Sequence, residues 1–250
     1  MIVWYCRISG VEASITCGNQ RGIILVPYPR ERAAQRMAQH PKRIAPGREV
    51  EIKLRIKERG RLLRRLTQLK AKRQAPRVHE MNALYDTSDG ALARRAQLVR
   101  IRVEYAPGGG KPKNVVLTYK GPLGAKKPGR RDARYKIRHE REVGIADDRA
   151  MASILEAMGL TPWFRYEKYR STYRLPGLVS LKVEFDETPM GEFLELEGPS
   201  REIDRGAKML GFAAADYIVR SYGSLWMEHA GLGQGEPKPG RGLRDMLFSK

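Results

Sequence analysis

Residues Glu49-Val50-Glu51-Ile52-Lys53-Leu54-Arg55-Ile56-Lys57 alternate without a break: odd positions are charged and even positions are apolar. Successive side chains of a strand point to opposite faces, so this stretch predicts a strand with one ionic and one apolar face. The ionic face is not uniform. It sets two carboxylates two residues apart, Glu49 and Glu51, with an ammonium, Lys53, two residues further on. Carboxylates at i and i+2 project side by side and can share a hard divalent cation. The lysine beyond them can hold a phosphate that the same cation binds.

The theme recurs along the chain. Stretches 78–87, 98–105, 115–120, 136–143, 163–175, 179–186 and 193–197 read as further strands. Arg100, Arg102 and Glu104 share a face, as do Thr118 and Lys120, then Lys136, Arg138, Glu140 and Glu142. So do Lys168, Arg170 and Thr172, then Lys182, Glu184 and Asp186, and finally Glu195 and Glu197. Short turns such as Ser88-Asp89-Gly90, Pro176-Gly177 and Pro189-Met190-Gly191 join many of them. Helices are expected at 58–73, 147–158, about 200–210 and 214–228, with a helical turn at 91–96. Any one charged face suits water. Together they do not read as a solvated sheet, because Lys, Arg, Glu and Asp fill almost every alternate position where Thr, Ser, Gln and Asn would serve equally. The expected fold is α+β: a closed eight-stranded antiparallel β-barrel, a tunnel with a charged lumen and helices packed outside.

The 250 residues carry a net charge of +20, which calls for an anionic partner. Most of the excess lies inside 48–230, where 37 Lys and Arg face 24 Asp and Glu. The hydrophobic fraction of 41% indicates a folded core. No apolar run reaches transmembrane length, so no membrane partner is expected. The opening 25 residues carry Arg7, Glu12 and Arg21 and make a poor signal peptide. Both cysteines, Cys6 and Cys17, sit in that opening, so the core needs no disulfide and a cytoplasmic location is the default. Three regions are expected: a poorly ordered basic N-terminal extension over 1–47, the tunnel domain over 48–230, and a Gly/Pro-rich tail over 231–250 with a short apolar end at Met246-Leu247-Phe248. The basic stretch 121–131 is read as a long exposed connection, with a phosphate-catching flap as the alternative.

The ordered set of motifs resembles the CYTH domain family of triphosphate tunnel metalloenzymes. It comprises Glu49-x-Glu51-x-Lys53, Tyr85-Asp86-Thr87, Leu98-Val99-Arg100-Ile101-Arg102, Glu140-x-Glu142, Lys168-x-Arg170-x-x-Tyr173, and Asp186 followed by Gly191-x-Phe193-Leu194-Glu195-Leu196-Glu197. The resemblance covers about 48–226 and implies an eight-stranded tunnel that binds metal and triphosphate. Family members include inorganic triphosphatases, thiamine triphosphatases and class IV adenylate cyclases.

A lumen that holds a polyanion needs a ring of cations. The candidates are Lys53, Arg55, Arg100, Arg102, Lys120, Arg138, Lys168, Arg170 and Lys182, with arginine forks gripping phosphate oxygens in two places and lysines acting as point charges. Carboxylates would repel such a substrate unless metal lies between them. Glu49, Glu51, Glu195 and Glu197 are the leading ligand candidates; Glu140, Glu142, Glu184 and Asp186 join them or orient metal-bound water. An all-oxygen site that keeps several waters suits Mg²⁺ or Mn²⁺. Lys53 and Tyr85 are candidates to assist proton transfer. The expected activity is metal-dependent hydrolysis of a triphosphate, inorganic or organic such as thiamine triphosphate, by water in line with the terminal phosphoryl. The first alternative is a class IV adenylate cyclase, in which a ribose hydroxyl attacks the α-phosphoryl of ATP. The second is a non-catalytic nucleic-acid or polyphosphate binder, supported by the basic helix 58–73 and by Tyr166, Tyr169 and Tyr173 among cations. The acidic residues on the same strand faces speak against that binder. Oligomeric state is not legible.

Overall fold

The computed structural model describes residues 47–122, 134–233, 237, 239 and 243–249, together with the backbone of 3–8, 11–16 and 26–27. The chain divides into two compact units, Met1–Lys42 and Arg43–Lys250. In the first, β1 (Val3–Ile8) and β2 (Val11–Thr16) pair antiparallel, and β3 (Val26–Pro27) adds to β2. The basic connection at 121–131 lies outside the described residues apart from its first two positions.

The second unit is a barrel. Its strands are β4 (Gly47–Ile56), β5 (Lys72–Arg73), β6 (Val78–Asp86), β7 (Leu98–Ala106), β8 (Gly109–Gly121), β9 (Lys136–Gly144), β10 (Thr161–Arg174), β11 (Lys182–Thr188) and β12 (Gly191–Glu197). The order β11-β12-β4-β9-β8-β7-β6-β10 closes through β10–β11 pairing, and every pair is antiparallel. Eight strands thus form the tunnel, and the short β5 lies outside, on the edge of β10. Closure leaves the eight strands no exposed edge to template aggregation.

The alternation now has a direction. Odd positions of β4 and β12 and even positions of β6 through β11 face inward, as the pairings Lys53↔Glu195, Glu184↔Glu195, Arg100↔Thr118 and Thr118↔Glu142 require. The apolar sets face outward and need cover. Ile52, Leu54, Val183, Phe185, Leu194 and Leu196 are buried beneath Leu62 and Leu66 of α1 (Arg59–Gln68) and Ile203, Ala207 and Leu210 of α4 (Ser200–Leu210). A second outer cluster joins Tyr85, Ile101, Val103 and Val115 to Leu155 of α3 (Asp148–Ala157). Asp147 caps α3 by accepting from the backbone amides of Arg149 and Ala150, as its sequence position predicts.

Two expected helices are shorter than the apolar spacing suggested. α1 stops at Gln68 because Lys70 adopts a left-handed conformation (φ 53°), which frees Lys72–Arg73 to pair with β10. The expected helix 214–228 is broken. A 3₁₀ turn at Ala214–Asp216 gives way to extended chain, where Ile218 exchanges two backbone hydrogen bonds with Lys53 at 2.8 and 2.9 Å. The extended stretch Tyr217-Ile218-Val219 suits strand geometry, and Ser221 then caps α5 (Tyr222–His229) by accepting from the Ser224 amide. α2 (Ala91–Arg94) is a single turn. Among the described residues no helix is long and apolar enough to cross a membrane.

The close seating of α4 depends on Gly206. A Cβ there would lie 2.3 Å from Leu181 Cδ2, and Leu181 is fully buried. Gly206→Val is therefore expected to destabilise the fold by about 1–3 kcal/mol through overpacking, read as a lower urea midpoint; unchanged stability would mean that α4 does not pack this closely.

Candidate active site

The barrel encloses a cavity of about 400 Å³. Of the sequence candidates, Lys53, Arg100, Arg102, Lys120, Arg138, Lys168, Arg170, Lys182, Glu49, Glu51, Glu140, Glu142, Glu184, Glu195 and Glu197 all line it. They come from seven of the eight barrel strands, far apart in sequence, and only barrel closure brings them together.

Three candidates are placed differently. Arg55 keeps the inward register of β4 but is exposed beyond the cavity, its guanidinium 4.7 Å over the ring of Phe193. Asp186 is fully buried behind the cavity surface. Arg170 grips it with two parallel bonds of 2.7 and 2.6 Å, Lys168 adds one at 2.8 Å, and the Tyr222 hydroxyl donates one at 2.7 Å. Tyr85 borders the cavity, but its ring sits in the outer cluster with Ile101, Val103 and Leu155, because its odd position on β6 points outward.

The lumen charges form a graded network. At the Asp186 end it is dense: Arg170 also pairs with Glu184 at 2.6 Å and with Glu195, while Glu80 reaches Lys168 at 3.5 Å and Arg170 at 3.6 Å, its Oε2 buried with no hydrogen bond among the described residues. Lys53 bridges Glu51 (3.1 Å) and Glu195 (2.9 Å). Burial opposes its charge, but these two carboxylates prevail and hold Lys53 protonated well above the usual lysine range. Lys182, the more exposed end of the row, bridges Glu184 and Glu197 at 3.2 and 2.8 Å.

The Glu49 corner is different. Lys120 bridges Glu49 at 2.5 Å and Glu140 at 3.0 Å. Burial, reinforced by the neighbouring Glu51, nevertheless pushes the Glu49 carboxyl up to about 7 against the pull of Lys120. Glu51, two residues away, moves the other way: burial raises it, but Lys136 at 2.9 Å and Lys53 outweigh that and hold it well below the ordinary range. Across the lumen, Arg100 donates to Thr118 (3.2 Å), Glu142 (3.4 Å) and the Tyr166 hydroxyl (3.3 Å), and Arg102 pairs with Glu104 and Glu142 at 3.2 and 3.6 Å. The Arg100 Nε is buried with no hydrogen-bond partner among the described residues, while the Arg102 Nε is the atom facing Glu104. Arg138 lines the same cavity and makes no ion pair among the described residues.

Several lining residues escaped the candidate set. Lys136 lay on an alternation already recognised. Its ammonium is pulled below the usual lysine range, by burial first and by the cations Lys53 and Arg138, against the opposing pull of Glu51. Glu80 and Asn82 share the inward register of β6, which the mixed sequence of that strand hid, but they are buried and do not line the cavity. Tyr222 and Ser221 enter from α5, which carries no ionic signature. Asp86, from the Tyr85-Asp86-Thr87 motif, accepts from the amides of Thr87, Leu92 and Ala93, so it caps the turn of α2.

A closed barrel with outward apolar faces and an inward ring of arginines, lysines and carboxylates defines a tunnel protein that receives a polyanion. The chain belongs to the CYTH domain family, whose model matches residues 47–222, and it is thereby an enzyme of triphosphate-bearing substrates. Among solved structures it is similar to a protein from Vibrio parahaemolyticus described as a candidate adenylate cyclase, with 20% identity over 70% of this chain and 94% of that one (TM-score 0.57). It is equally similar to a Pyrococcus horikoshii OT3 protein, with 22% identity over 72% and 99% (TM-score 0.57). A conserved hypothetical protein of Pyrococcus furiosus follows, with 23% identity over 70% and 97% (TM-score 0.52). At these identities the likeness is one of fold. No curated protein matches the sequence.

The Glu49 corner can be tested directly. In metal-free protein the Glu49 carboxyl is expected to titrate near 7 by carbon-detected NMR, deprotonated above and protonated below. Lys120→Met should move that midpoint upward, since Lys120 is the cation that lowers it. A Glu49 midpoint near 4.5 would contradict the geometry.

Proposed function

We propose that this protein hydrolyses the terminal phosphoryl bond of a triphosphate held inside the tunnel. The observation that carries the reading is the division of labour in the lumen. The acids Glu49, Glu51 and Glu140 line the same cavity as the arginines Arg100, Arg102 and Arg138, and Arg138 makes no ion pair among the described residues. A phosphate-backbone binder gains nothing from the acids, whereas a triphosphate enzyme needs both.

Whether a divalent cation suits these residues can be judged from their chemistry. No three acidic side chains among the described residues converge as a ready-made metal cluster, because lysines bridge them. The donors are all carboxylate oxygens, as Mg²⁺ or Mn²⁺ prefers. The raised Glu49 carboxyl marks the place where added positive charge is most favourable. Glu49, Glu51 and Glu140 would hold the ion, with Glu197 within the same lining. When bound, the ion supplies Lewis-acid polarisation of a phosphoryl oxygen.

The chain's own residues do the rest. Arg138, Arg100 and Arg102 offer forked donors to phosphoryl oxygens, and Lys53 and Lys120 add fixed charge. Charge spreads over the phosphoryl oxygens in the transition state, so cations already in place there lower the barrier without reorganising. Lys53 is held too firmly protonated to act as a base, and its role in this reading is the clamp. Lys136, ion-paired to Glu51 at 2.9 Å, adds a further charge to the same wall. The reading keeps the cytoplasmic setting expected from the sequence.

The test is product analysis. Tripolyphosphate, thiamine triphosphate and ATP are each incubated with and without Mg²⁺ or Mn²⁺, and phosphate, pyrophosphate and cyclic AMP are measured. Metal-dependent release of phosphate is expected. Cyclic AMP with pyrophosphate would replace hydrolysis by cyclisation, and salt-sensitive DNA binding without turnover would overturn the enzyme reading. Arg138→Ala should lower kcat/KM by roughly 10–100-fold, the range for losing a charge-assisted hydrogen bond, and Arg138→Lys should recover only part, having charge without the fork. Because Glu49 must be ionised to bind metal and its carboxyl sits near 7, the metal concentration for half-maximal rate should rise as pH falls from 8 to 6. A flat profile across that window would remove Glu49 from the ligand set.

A further inference from the structure

The cavity has a second wall that charge does not explain. Leu98, Trp163, Phe164, Tyr166 and Pro237 line it beside the cations. An inorganic triphosphate is ionic over its whole surface and has no use for an apolar wall. The cavity volume of about 400 Å³ also falls in the range of sites for small organic ligands, about 300–1,000 Å³.

Trp163 reaches this wall through an irregularity in the barrel. Pro162 pairs with Tyr85 and Phe164 with Leu84, so Trp163 is an extra residue in β10, a bulge. On a regular strand its odd position would point outward, like Tyr85 opposite. Bulges re-aim side chains and concentrate near active sites. Here the indole lies beside Phe164, with ring centroids 5.8 Å apart, and borders the cavity while remaining partly exposed.

The other side of this lip comes from the C-terminal segment, which lies beyond the family match at 47–222. Pro237 lines the cavity and closes on Gly223, where a Cβ would meet its Cγ at 2.6 Å. Pro239 closes likewise on Gly90, at 3.1 Å. The segment is anchored further on. Met246 is fully buried and exchanges backbone hydrogen bonds with Arg165 and Glu167 at 2.9 and 3.0 Å, and the Trp226 indole donates to the Arg244 carbonyl at 2.8 Å. The wall and the phosphate clamp are contiguous. Leu98 is the register partner of Lys120, and the Tyr166 hydroxyl accepts from Arg100. At the same border Gln97 presents an amide whose nitrogen is committed to the Tyr119 hydroxyl at 2.9 Å, leaving the carbonyl oxygen to accept.

We propose that Trp163, with Leu98 and Pro237, forms a stacking subsite for a planar heteroaromatic group, so that the natural substrate is a ring-bearing organic triphosphate and not inorganic triphosphate. The proposal rests on the triphosphate reading of the lumen and adds the part of the substrate that phosphate chemistry leaves open. A purine ring and a thiamine-type ring share the chemistry that the wall recognises, a flat π-face with hydrogen-bonding edges.

The experiment uses the full chain and three variants, Trp163→Ala, Trp163→Phe and Pro237→Gly, each checked for an unchanged thermal midpoint. Calorimetry without turnover, in EDTA, compares tripolyphosphate, ATP and thiamine triphosphate, and steady-state kinetics with Mg²⁺ or Mn²⁺ compares their kcat/KM. The wild type should favour at least one ring-bearing triphosphate over tripolyphosphate. Trp163→Ala should lower the ratio of kcat/KM for that substrate to kcat/KM for tripolyphosphate by about 10-fold, the scale of one lost stacking contact, mainly through KM. Trp163→Phe should restore most of the ratio, and Pro237→Gly should lower it in the same direction. Equal or better binding and turnover of tripolyphosphate by the wild type, or an unchanged ratio in Trp163→Ala, would overturn the subsite while leaving the hydrolase reading intact. If no triphosphate is turned over, the hydrolase reading falls, and the calorimetric preference for or against a ring still decides the subsite.

Discussion

The structure depends on pairing charges that have been taken out of water. Lys53, Glu80, Lys168 and Asp186 are each 2% exposed or less. An isolated ion in such a place would be severely destabilising. Here Asp186 receives Arg170, Lys168 and Tyr222 together, and Lys53 spans Glu51 and Glu195. The barrel is turned inside out by this arrangement. Its ionic faces satisfy one another in the lumen, and its apolar faces become the surface on which α1, α3 and α4 pack.

Pairing is uneven, and the unevenness is where function enters. Around Asp186 the network is dense, with Arg170, Lys168 and Tyr222 all bonded to one carboxylate. At Glu49, Lys120 is shared with Glu140, and Arg138, the register partner of Glu49 on β9, makes no ion pair among the described residues. Such a lumen offers carboxylates to a cation and guanidinium groups to a polyanion within one cavity. Preformed charge of this kind suits phosphoryl transfer, where the protein contributes position and field more than covalent chemistry.

The fold was legible because charges fill the inward run from Glu49 to Arg55 on β4, from Lys136 to Glu142 on β9 and from Lys182 to Asp186 on β11, with Glu195 and Glu197 on β12. Fifteen of the lining residues were readable by the same rule. What the sequence hid has physical causes. Glu80 and Asn82 face inward from β6, but that strand also carries Met81 and Leu84, so the period is diluted. Arg55 obeys the period yet falls past the end of the cavity, a matter of strand length and tilt that spacing does not encode. Asp186 obeys it as well and is consumed by its own neighbours. Tyr222 comes from a helix whose start depends on the backbone bridge between Ile218 and Lys53, a contact 165 residues apart in the chain. Trp163 breaks the period through a bulge, and Pro237 comes from a stretch whose Gly/Pro composition suggested only a tail.

The central claim is that the lumen, and not the basic outer face of α1, is where a triphosphate binds. A crystal structure of the protein with tripolyphosphate tests it most directly. The account predicts the anion inside the barrel, with the Arg138, Arg100 and Arg102 guanidinium groups against its oxygens. An anion seated on Arg61 and Arg64 of α1, with the lumen ion pairs undisturbed, would contradict it.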